Sequence, residues 1–283
     1  MSYSLLVDVG NTNIKLALYQ STLHQSTLHQ GASRVHSWHT SSREQRSSHD
    51  YASLINAWFE EAQITDIQQV VMASVVAPVT KTLLPALNNI TGCEVALVTS
   101  QLMINLGLLH FDATNHHEVG PDLLVTAVAA LNTSYQTKHR LIIDMGSATT
   151  FNLVTLPNTF AGVAITPGLD AMQDALLLKA PALPRVPLEA PNAPLGHDTT
   201  SALQAGLVLA YASLVDGMID RVQADLKPTN LETTTSGDDA SYYVIATGGT
   251  SNLIVPLCAN IDVHKPQLAF EGLLDVARAL ETD

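Results

Sequence analysis

A short polar turn, residues 8–15 between two apolar runs, combines residue types that bind a phosphorylated ligand. Gly10 allows the backbone to approach a ligand closely, and Lys15 adds a positive charge. Asp8 offers a carboxylate to a magnesium ion, through water, because magnesium prefers oxygen ligands and keeps several waters. Three further side chains supply hydrogen-bond donors: Asn11, Thr12 and Asn13. An ordinary hairpin with asparagine-rich turn chemistry is the alternative interpretation.

A second stretch, Leu141–Val154, follows the same plan. An apolar run ends at Asp144, Gly146 and Ser147 begin a small polar turn, and a second apolar run follows. This repeat is too long for a solenoid period, and it predicts a duplicated domain with a carboxylate at the end of the first strand in each half. Two such turns facing across a cleft would hold a phosphate chain and its cation from both sides.

Asp122 is the candidate general base. It follows Gly120 and Pro121 at the start of an alanine-rich run that predicts a helix. Proline suits the first position of a helix, and an acidic residue in the first turn complements the helix dipole. That structural role is the alternative to a general base at the mouth of a cleft.

The elements that position these residues alternate between strands and helices, which is typical of an α/β fold. Predicted strands cover residues 5–7, 14–19, 70–76, 94–98, 141–143 and 242–246. Predicted helices cover residues 51–62, 79–90, 121–130, 169–179, 199–226 and 253–258, with Thr199 and Thr200 capping the longest. The turn Thr247–Thr250 is either a platform for a nucleotide base or ribose, or a tight strand-to-helix turn.

Length and composition limit the possible classes of protein. The 283 residues and the repeat predict two domains, 1–135 and 136–283. The net charge of −13 argues against nonspecific binding to nucleic acid or to an anionic membrane. Cys93 and Cys258 are too few for a disulfide framework or a zinc site. Neither a signal sequence nor a run of about 18 apolar residues is present, so we expect a cytoplasmic protein.

Residues 20–49 differ in composition from the rest of the chain. The pentapeptide Ser21–Gln25 is repeated at once as Ser26–Gln30, and the segment is rich in serine, threonine, glutamine and histidine. No histidine spacing here matches a known metal motif. The segment is therefore predicted to be a solvated surface loop. The alternatives are a metal site, because histidine is a common ligand, and a repeat that extends a β-hairpin.

In this order the motifs resemble type III pantothenate kinases, of the acetate and sugar kinase/actin superfamily. The resemblance lies in five stretches: Asp8–Asn13, Asp144–Thr150, Ile165–Gly168, Thr247–Gly249 and Phe270–Leu273. It implies two duplicated actin/ribonuclease-H-like domains with the active site in the cleft between them, and a homodimer. It also implies ATP-dependent phosphorylation of pantothenate to 4'-phosphopantothenate, the first step of coenzyme A biosynthesis.

The resemblance also implies roles for particular residues. Residues 8–15 would hold the phosphates of ATP, and Ser147 would contact ATP. Asp144 would hold a monovalent cation, potassium or ammonium, and Asp122 would take the proton from the pantothenate hydroxyl. The positions that would contact pantothenate are Gly120, Pro121, Asp122, Leu123 and Thr199.

One position departs from the family pattern Gly-x-Asp-Arg: Leu123 stands where the family has arginine. Leucine cannot supply the charged, bidentate fork with which arginine binds a carboxylate. ATP binding is therefore better supported by the sequence than pantothenate binding. Two other hypotheses stay open, a nucleotide-binding regulator that has lost turnover and a kinase of the same superfamily that acts on another small alcohol.

Overall fold

The computed structural model describes residues 3–20, 34–112, 114–132, 138–225 and 242–281. It divides the chain into two compact units. Unit 1 comprises Met1–Thr133 and Leu268–Asp283, and unit 2 comprises Ser134–Gln267. The sequence had predicted a division into 1–135 and 136–283, so the structure moves residues 268–283 from the second domain to the first.

Unit 1 is built on a five-stranded sheet in the order β3-β2-β1-β4-β5. Its strands are β1 (Tyr3–Val9), β2 (Asn13–Gln20), β3 (Arg34–Ser41), β4 (Ile67–Ser74) and β5 (Val95–Leu97), and a short β6 (His110–Phe111) follows. Its helices are α1 (Ser48–Glu61), α2 (Ala77–Thr91), α3 (Ser100–Asn105), α4 (Pro121–Leu131) and, from the end of the chain, α8 (Leu268–Glu281). Strands β1, β2 and β3 are antiparallel neighbours, whereas β4 runs parallel to β1.

Helix α8 belongs to unit 1 because it packs closely on α4. A Cβ atom on Gly272 would lie 1.8 Å from the carbonyl oxygen of Val125, so only glycine permits this approach of the two helices. At the end of α4, the Asn132 side chain donates to Asp275 of α8 at 2.7 Å. The Gln69 side chain, on β4, donates to the carbonyl of Ala277 at 3.0 Å. The sequence did not predict these contacts, because α8 is far from α4 and β4 along the chain.

Alternating burial fixes which face of the first hairpin forms the core. Ile14, Leu16 and Leu18 are buried on β2, while Lys15 between them is exposed. Residues Leu5–Val7 of β1 are fully buried. The apolar side of this sheet packs against α1 and α2, which places the β1–β2 turn at the edge of the core.

Part of the segment that was predicted to be a solvated loop is an ordered strand. β3 pairs with β2 along its length, and Trp38 on β3 stacks on Trp58 of α1 with 6.0 Å between ring centroids. His36, also on β3, stacks on Trp38 with 5.6 Å between ring centroids. The aromatic packing explains why the composition of residues 34–41 was misleading. The tandem pentapeptide at 21–30 lies outside the described residues.

Unit 2 repeats the hairpin arrangement of unit 1. Its strands are β7 (His139–Met145), β8 (Ala148–Thr155), β9 (Thr159–Pro167), β10 (Tyr242–Thr247) and β11 (Val263–His264), and they lie in the order β11-β10-β7-β8-β9. Its helices are α5 (Leu169–Lys179), α6 (Thr199–Asp225) and α7 (Ser251–Ile254). β7 and β8 pair antiparallel, as β1 and β2 do, so both predicted carboxylates lie one residue before the end of the first strand of a hairpin.

Helix α6 begins differently from the prediction. The N-terminal cap is Asp198, whose carboxylate accepts the N–H of Ser201 at 2.9 Å, rather than Thr199 and Thr200. An aspartate satisfies a free N–H group at a helix start as well as a threonine does. Within the described residues, α6 is the one helix long and apolar enough to cross a membrane. Its buried side chains are part of the hydrophobic core of unit 2.

Candidate active site

The β1–β2 turn of unit 1 is held by backbone hydrogen bonds and by one serine. Within the turn, the Gly10 N–H donates to the carbonyl of Asn13 at 3.0 Å. Ser42, just after β3, donates from its Oγ to the carbonyl of Gly10 at 2.7 Å and from its N–H to the carbonyl of Thr12 at 3.1 Å. The exposed side chains of this region are Asn11, Asn13 and Lys15. The turn therefore presents polar groups to solvent from a fixed backbone.

Asp8 is a partly buried carboxylate with unusual electrostatics. Burial raises the pKa of Asp8 to about 6, Lys15 opposes that rise, and the charge of Asp122 adds to it. Lys15 is the direct cross-strand partner of Asp8. The influence of Asp122 shows that the structure brings these two aspartates into one electrostatic environment, which the sequence left open.

Asp122 occupies the first turn of α4, as predicted. Its Oδ1 accepts the N–H of Leu123 at 2.9 Å. Burial raises the pKa of the Asp122 carboxyl above its ordinary value, and hydrogen bonds from its own and the Leu123 backbone lower it. A Cβ on Gly120 would lie 2.5 Å from Asp122 Oδ1, so the glycine leaves room for the carboxylate. Pro121 begins the helix where its missing N–H costs nothing.

Leu123 is a core residue. Its side chain is 6% exposed, within a helix whose residues 123–130 are all buried. The residue therefore contributes apolar packing, and it offers a substrate neither charge nor hydrogen bonds.

The β7–β8 turn of unit 2 is packed against the Gly-Gly turn that follows β10. Gly248 has a φ of +98°. A Cβ there would lie 2.4 Å from the N of Met145 and 2.5 Å from Oδ1 of Asp144. Thr250 donates its hydroxyl to the carbonyl of Met145 at 2.9 Å. Both the positive φ and the close packing require glycine at position 248. The Asp144 carboxylate lies directly against this turn.

Ser147 is exposed and lies beside the start of α5. The Gly168 N–H donates to the Ser147 carbonyl at 3.2 Å. A Cβ on Gly168 would lie 2.2 Å from the Gly146 carbonyl. The stretch Ile165–Gly168, one of the five that resemble the family, therefore packs against the second polar turn within unit 2.

A buried polar contact that the sequence did not reveal lies under this turn. The Thr149 hydroxyl and the Tyr211 hydroxyl of α6 share a short hydrogen bond. Burial raises the pKa of Tyr211, while the Thr149 and Thr250 hydroxyls lower it and the Asp144 charge raises it further. Tyr211 belongs to an apolar helix pattern, so its sequence signal was that of an ordinary core residue.

The predicted site residues are divided between the units. Unit 1 holds residues 8–15 and 120–123, and unit 2 holds Asp144, Ser147 and Thr199. Thr199 is exposed at the start of α6. Among the described residues, no three His, Cys, Asp or Glu side chains lie close enough to hold a metal ion by themselves.

Comparisons with known proteins identify the family of this chain. The family model described as type III pantothenate kinase matches residues 4–221. The chain is 33% identical over 272 residues to the type III pantothenate kinase of Thermus thermophilus, covering 96% of this chain and 97% of that protein. It is 34% identical over 271 residues to that of Geobacter sulfurreducens, covering 95% and 96%.

Solved structures show a similar fold at low sequence identity. A Baf family transcriptional activator from Campylobacter jejuni, described as conserved and putative, has a TM-score of 0.51 at 15% identity and covers 98% of both chains. The ethanolamine utilization protein EutJ from Carboxydothermus hydrogenoformans has a TM-score of 0.50 at 12% identity, covering 96% of this chain and 88% of that chain. The predicted α/β class with actin-like domains is confirmed.

Proposed function

This chain belongs to the type III pantothenate kinase family, and we infer that it phosphorylates pantothenate with ATP, the first step of coenzyme A biosynthesis. The observation that carries the residue assignments is the shared environment of Asp8 and Asp122 in unit 1. One carboxylate adjoins a turn suited to phosphates, and the other begins a helix where an alcohol can approach its oxygen.

We assign the turn at residues 8–15 to the phosphates of ATP. Its N–H groups and exposed donors hold the phosphate chain in line with the acceptor, and Lys15 offsets the charge that develops during transfer. Positioning carries much of the catalysis, because the phosphoryl transition state is loose.

Asp122 is proposed as the general base. It orients the primary hydroxyl of pantothenate and accepts its proton as the oxygen attacks the terminal phosphorus of ATP, whose bond to the bridging oxygen breaks to release ADP. The raised pKa of Asp122 supports this role, because a base works best when its pKa lies close to the operating pH. The donation from the Leu123 N–H to Oδ1 orients the carboxylate at the start of α4.

Two cations fit the donors that are present. Asp8 is a hard oxygen donor next to the phosphate turn, and it would hold magnesium through water, because magnesium prefers oxygen ligands and keeps several waters. Asp144, beside the carbonyls of the second turn, would hold potassium or ammonium, and Ser147 would contact ATP. These cations would supply charge neutralisation of the phosphates.

The acid end of the substrate needs a partner other than residue 123. A buried leucine favours, as a second candidate function, a kinase in the same fold that acts on a small alcohol without a carboxylate. Thr199, Gly120 and Pro121 remain proposed pantothenate contacts.

We propose a homodimer in the cytoplasm, where ATP is available. Val163 and Ile165, alternate residues of β9, are 41% and 68% exposed, and such adjacent apolar side chains suit burial between two copies. Light scattering of the purified protein tests the dimer: a monomeric mass at micromolar concentration contradicts it. The net charge of −13 supports the absence of nucleic-acid and membrane partners.

The decisive experiment incubates the purified protein with magnesium, potassium, ATP and pantothenate, and detects 4'-phosphopantothenate by mass spectrometry. The expected result is product with wild type and a loss of product with Asp122→Asn. A wild type that binds ATP but phosphorylates only another alcohol supports the second candidate. A wild type that binds ATP and phosphorylates no alcohol supports the regulator.

A further inference from the structure

Ser42 connects the end of β3 to the β1–β2 turn, thirty-two residues earlier in the chain. It makes two donations to that turn, from Oγ to the Gly10 carbonyl at 2.7 Å and from N–H to the Thr12 carbonyl at 3.1 Å. The side chain is 9% exposed, so its hydroxyl is withdrawn from solvent and engaged with the turn. No motif in the sequence singled out this serine.

Because each peptide group is planar, the two contacts of Ser42 also fix the directions of N–H groups in the turn. The peptide bond between Gly10 and Asn11 is trans, so its C=O and N–H point in opposite directions. By holding the Gly10 carbonyl, Ser42 directs the Asn11 N–H away from itself. The Ser42 N–H does the same for the peptide between Thr12 and Asn13. Within the described part of the chain, the Asn11 N–H donates to no acceptor, and Asn11 is exposed.

We propose that Ser42 is a positioning residue for the phosphates of ATP, acting through the amide N–H groups of the β1–β2 turn. Successive N–H groups aimed at one place form a binding site for an anion, and they stabilise it best when no reorganisation is needed. This inference rests on the proposed assignment of the turn to ATP. The new element is Ser42, a residue outside the turn, whose hydroxyl sets the orientation of the peptide between Gly10 and Asn11.

The two donations of Ser42 differ in how they respond to mutation. Alanine at position 42 removes the hydroxyl but keeps the backbone N–H, so the Thr12 carbonyl stays bound and β3 keeps its pairing. The Gly10 carbonyl loses its partner, and the first peptide of the turn becomes free to rotate. ATP binding should therefore suffer, while pantothenate binding should not.

The test measures the affinity for magnesium-ATP and for pantothenate, by titration calorimetry, in wild type, Ser42→Ala and Ser41→Ala. Ser41 is the matched control, because its hydroxyl, one residue earlier, accepts the Arg43 N–H and, within the described residues, makes no hydrogen bond to the turn. We expect Ser42→Ala to weaken ATP binding about fivefold to tenfold, the loss of one hydrogen bond. Pantothenate affinity and both affinities of Ser41→Ala should stay within about twofold of wild type.

A purely structural role predicts a different pattern. Ser42→Ala would then lower the thermal midpoint and leave ATP affinity at the wild-type value, which overturns the proposal, as does an equal loss for both ligands. If Ser42→Ala does not yield folded protein, Ser42→Cys, with a similar shape and a weaker donor, is measured with the same expected result. If wild type binds ATP but does not phosphorylate pantothenate, the proposed function fails while the comparison of ATP affinities still decides the role of Ser42.

Discussion

Replacing Asp8 by asparagine is expected to stabilise the free protein while impairing the kinase. In the folded chain the pKa of Asp8 rises from 3.8 to about 6, chiefly because of burial. The folded state therefore binds this proton more tightly than the unfolded state does. Stability falls as the pH rises from 3.8 through about 6, and the full cost of the ionised carboxylate is present above that pH.

The size of the effect follows from the same values. For a fully desolvated group, a pKa rise of this size lowers the free energy of unfolding by about 3 kcal/mol when the group is ionised. Asp8 retains some contact with solvent, so we expect Asp8→Asn to increase the free energy of unfolding at pH 8 by about 1–2 kcal/mol. The gain should shrink to near zero at about pH 3, where the carboxyl is protonated in the folded state and largely protonated in the unfolded state, whose pKa is 3.8.

Urea unfolding at a series of pH values, without nucleotide, measures this difference directly. The control is Asp112→Asn, which neutralises an exposed aspartate of the same unit. In the kinase assay, Asp8→Asn should lose both turnover and magnesium-dependent ATP affinity, because it lacks the negative oxygen donor. A stability difference that does not change with pH, or a variant less stable than wild type at pH 8, would refute the reasoning.

Three further changes test other contacts. Asp122→Asn should reduce turnover about 100-fold to 10,000-fold with ATP affinity kept, and near-normal steady-state rates would remove Asp122 from the mechanism. Leu123→Arg should lower the free energy of unfolding by about 3 kcal/mol, because it places an unpaired charge in the core; thermal melting checks this, and a larger rise in melting temperature on adding pantothenate than wild type shows would indicate that the arginine reaches the carboxylate. Gly272→Ala should cost more than about 2 kcal/mol in urea unfolding, because its Cβ meets Val125; Gly206→Ala on α6, where the space is open, is the control and should stabilise slightly.

Local patterns predicted much of this structure. Helix α5 has the predicted bounds, Leu169–Lys179, because an apolar period and a preceding Pro-Gly turn are local signals. The placement of Asp8 and Asp144 near the ends of first strands was likewise predictable, since each carboxylate interrupts an apolar run.

Contacts between distant segments were not predictable from one sequence. The N-terminal cap of α6 is Asp198. Asp198, Thr199 and Thr200 are adjacent in sequence and all can cap a helix, so only the three-dimensional geometry identifies which one does. Ser42 and Tyr211 carry no local signal, because each acts through a partner far away in the chain. The assignment of residues 268–283 failed for the same reason: the fit of Gly272 against Val125 is a property of two helices.

That helix contact affects the order in which the protein can fold on the ribosome. Unit 2 is a continuous stretch of chain placed between the two parts of unit 1. A nascent chain can complete unit 2 before α8 exists, whereas unit 1 must wait with α4 still lacking the helix that packs on it. During synthesis, the mostly apolar residues 123–130 of α4 thus lack the helix that covers them, and such an exposed hydrophobic segment is a binding site for a chaperone. Translation that stops before Leu268 would leave the earlier-made half of the protein as the part that cannot finish folding.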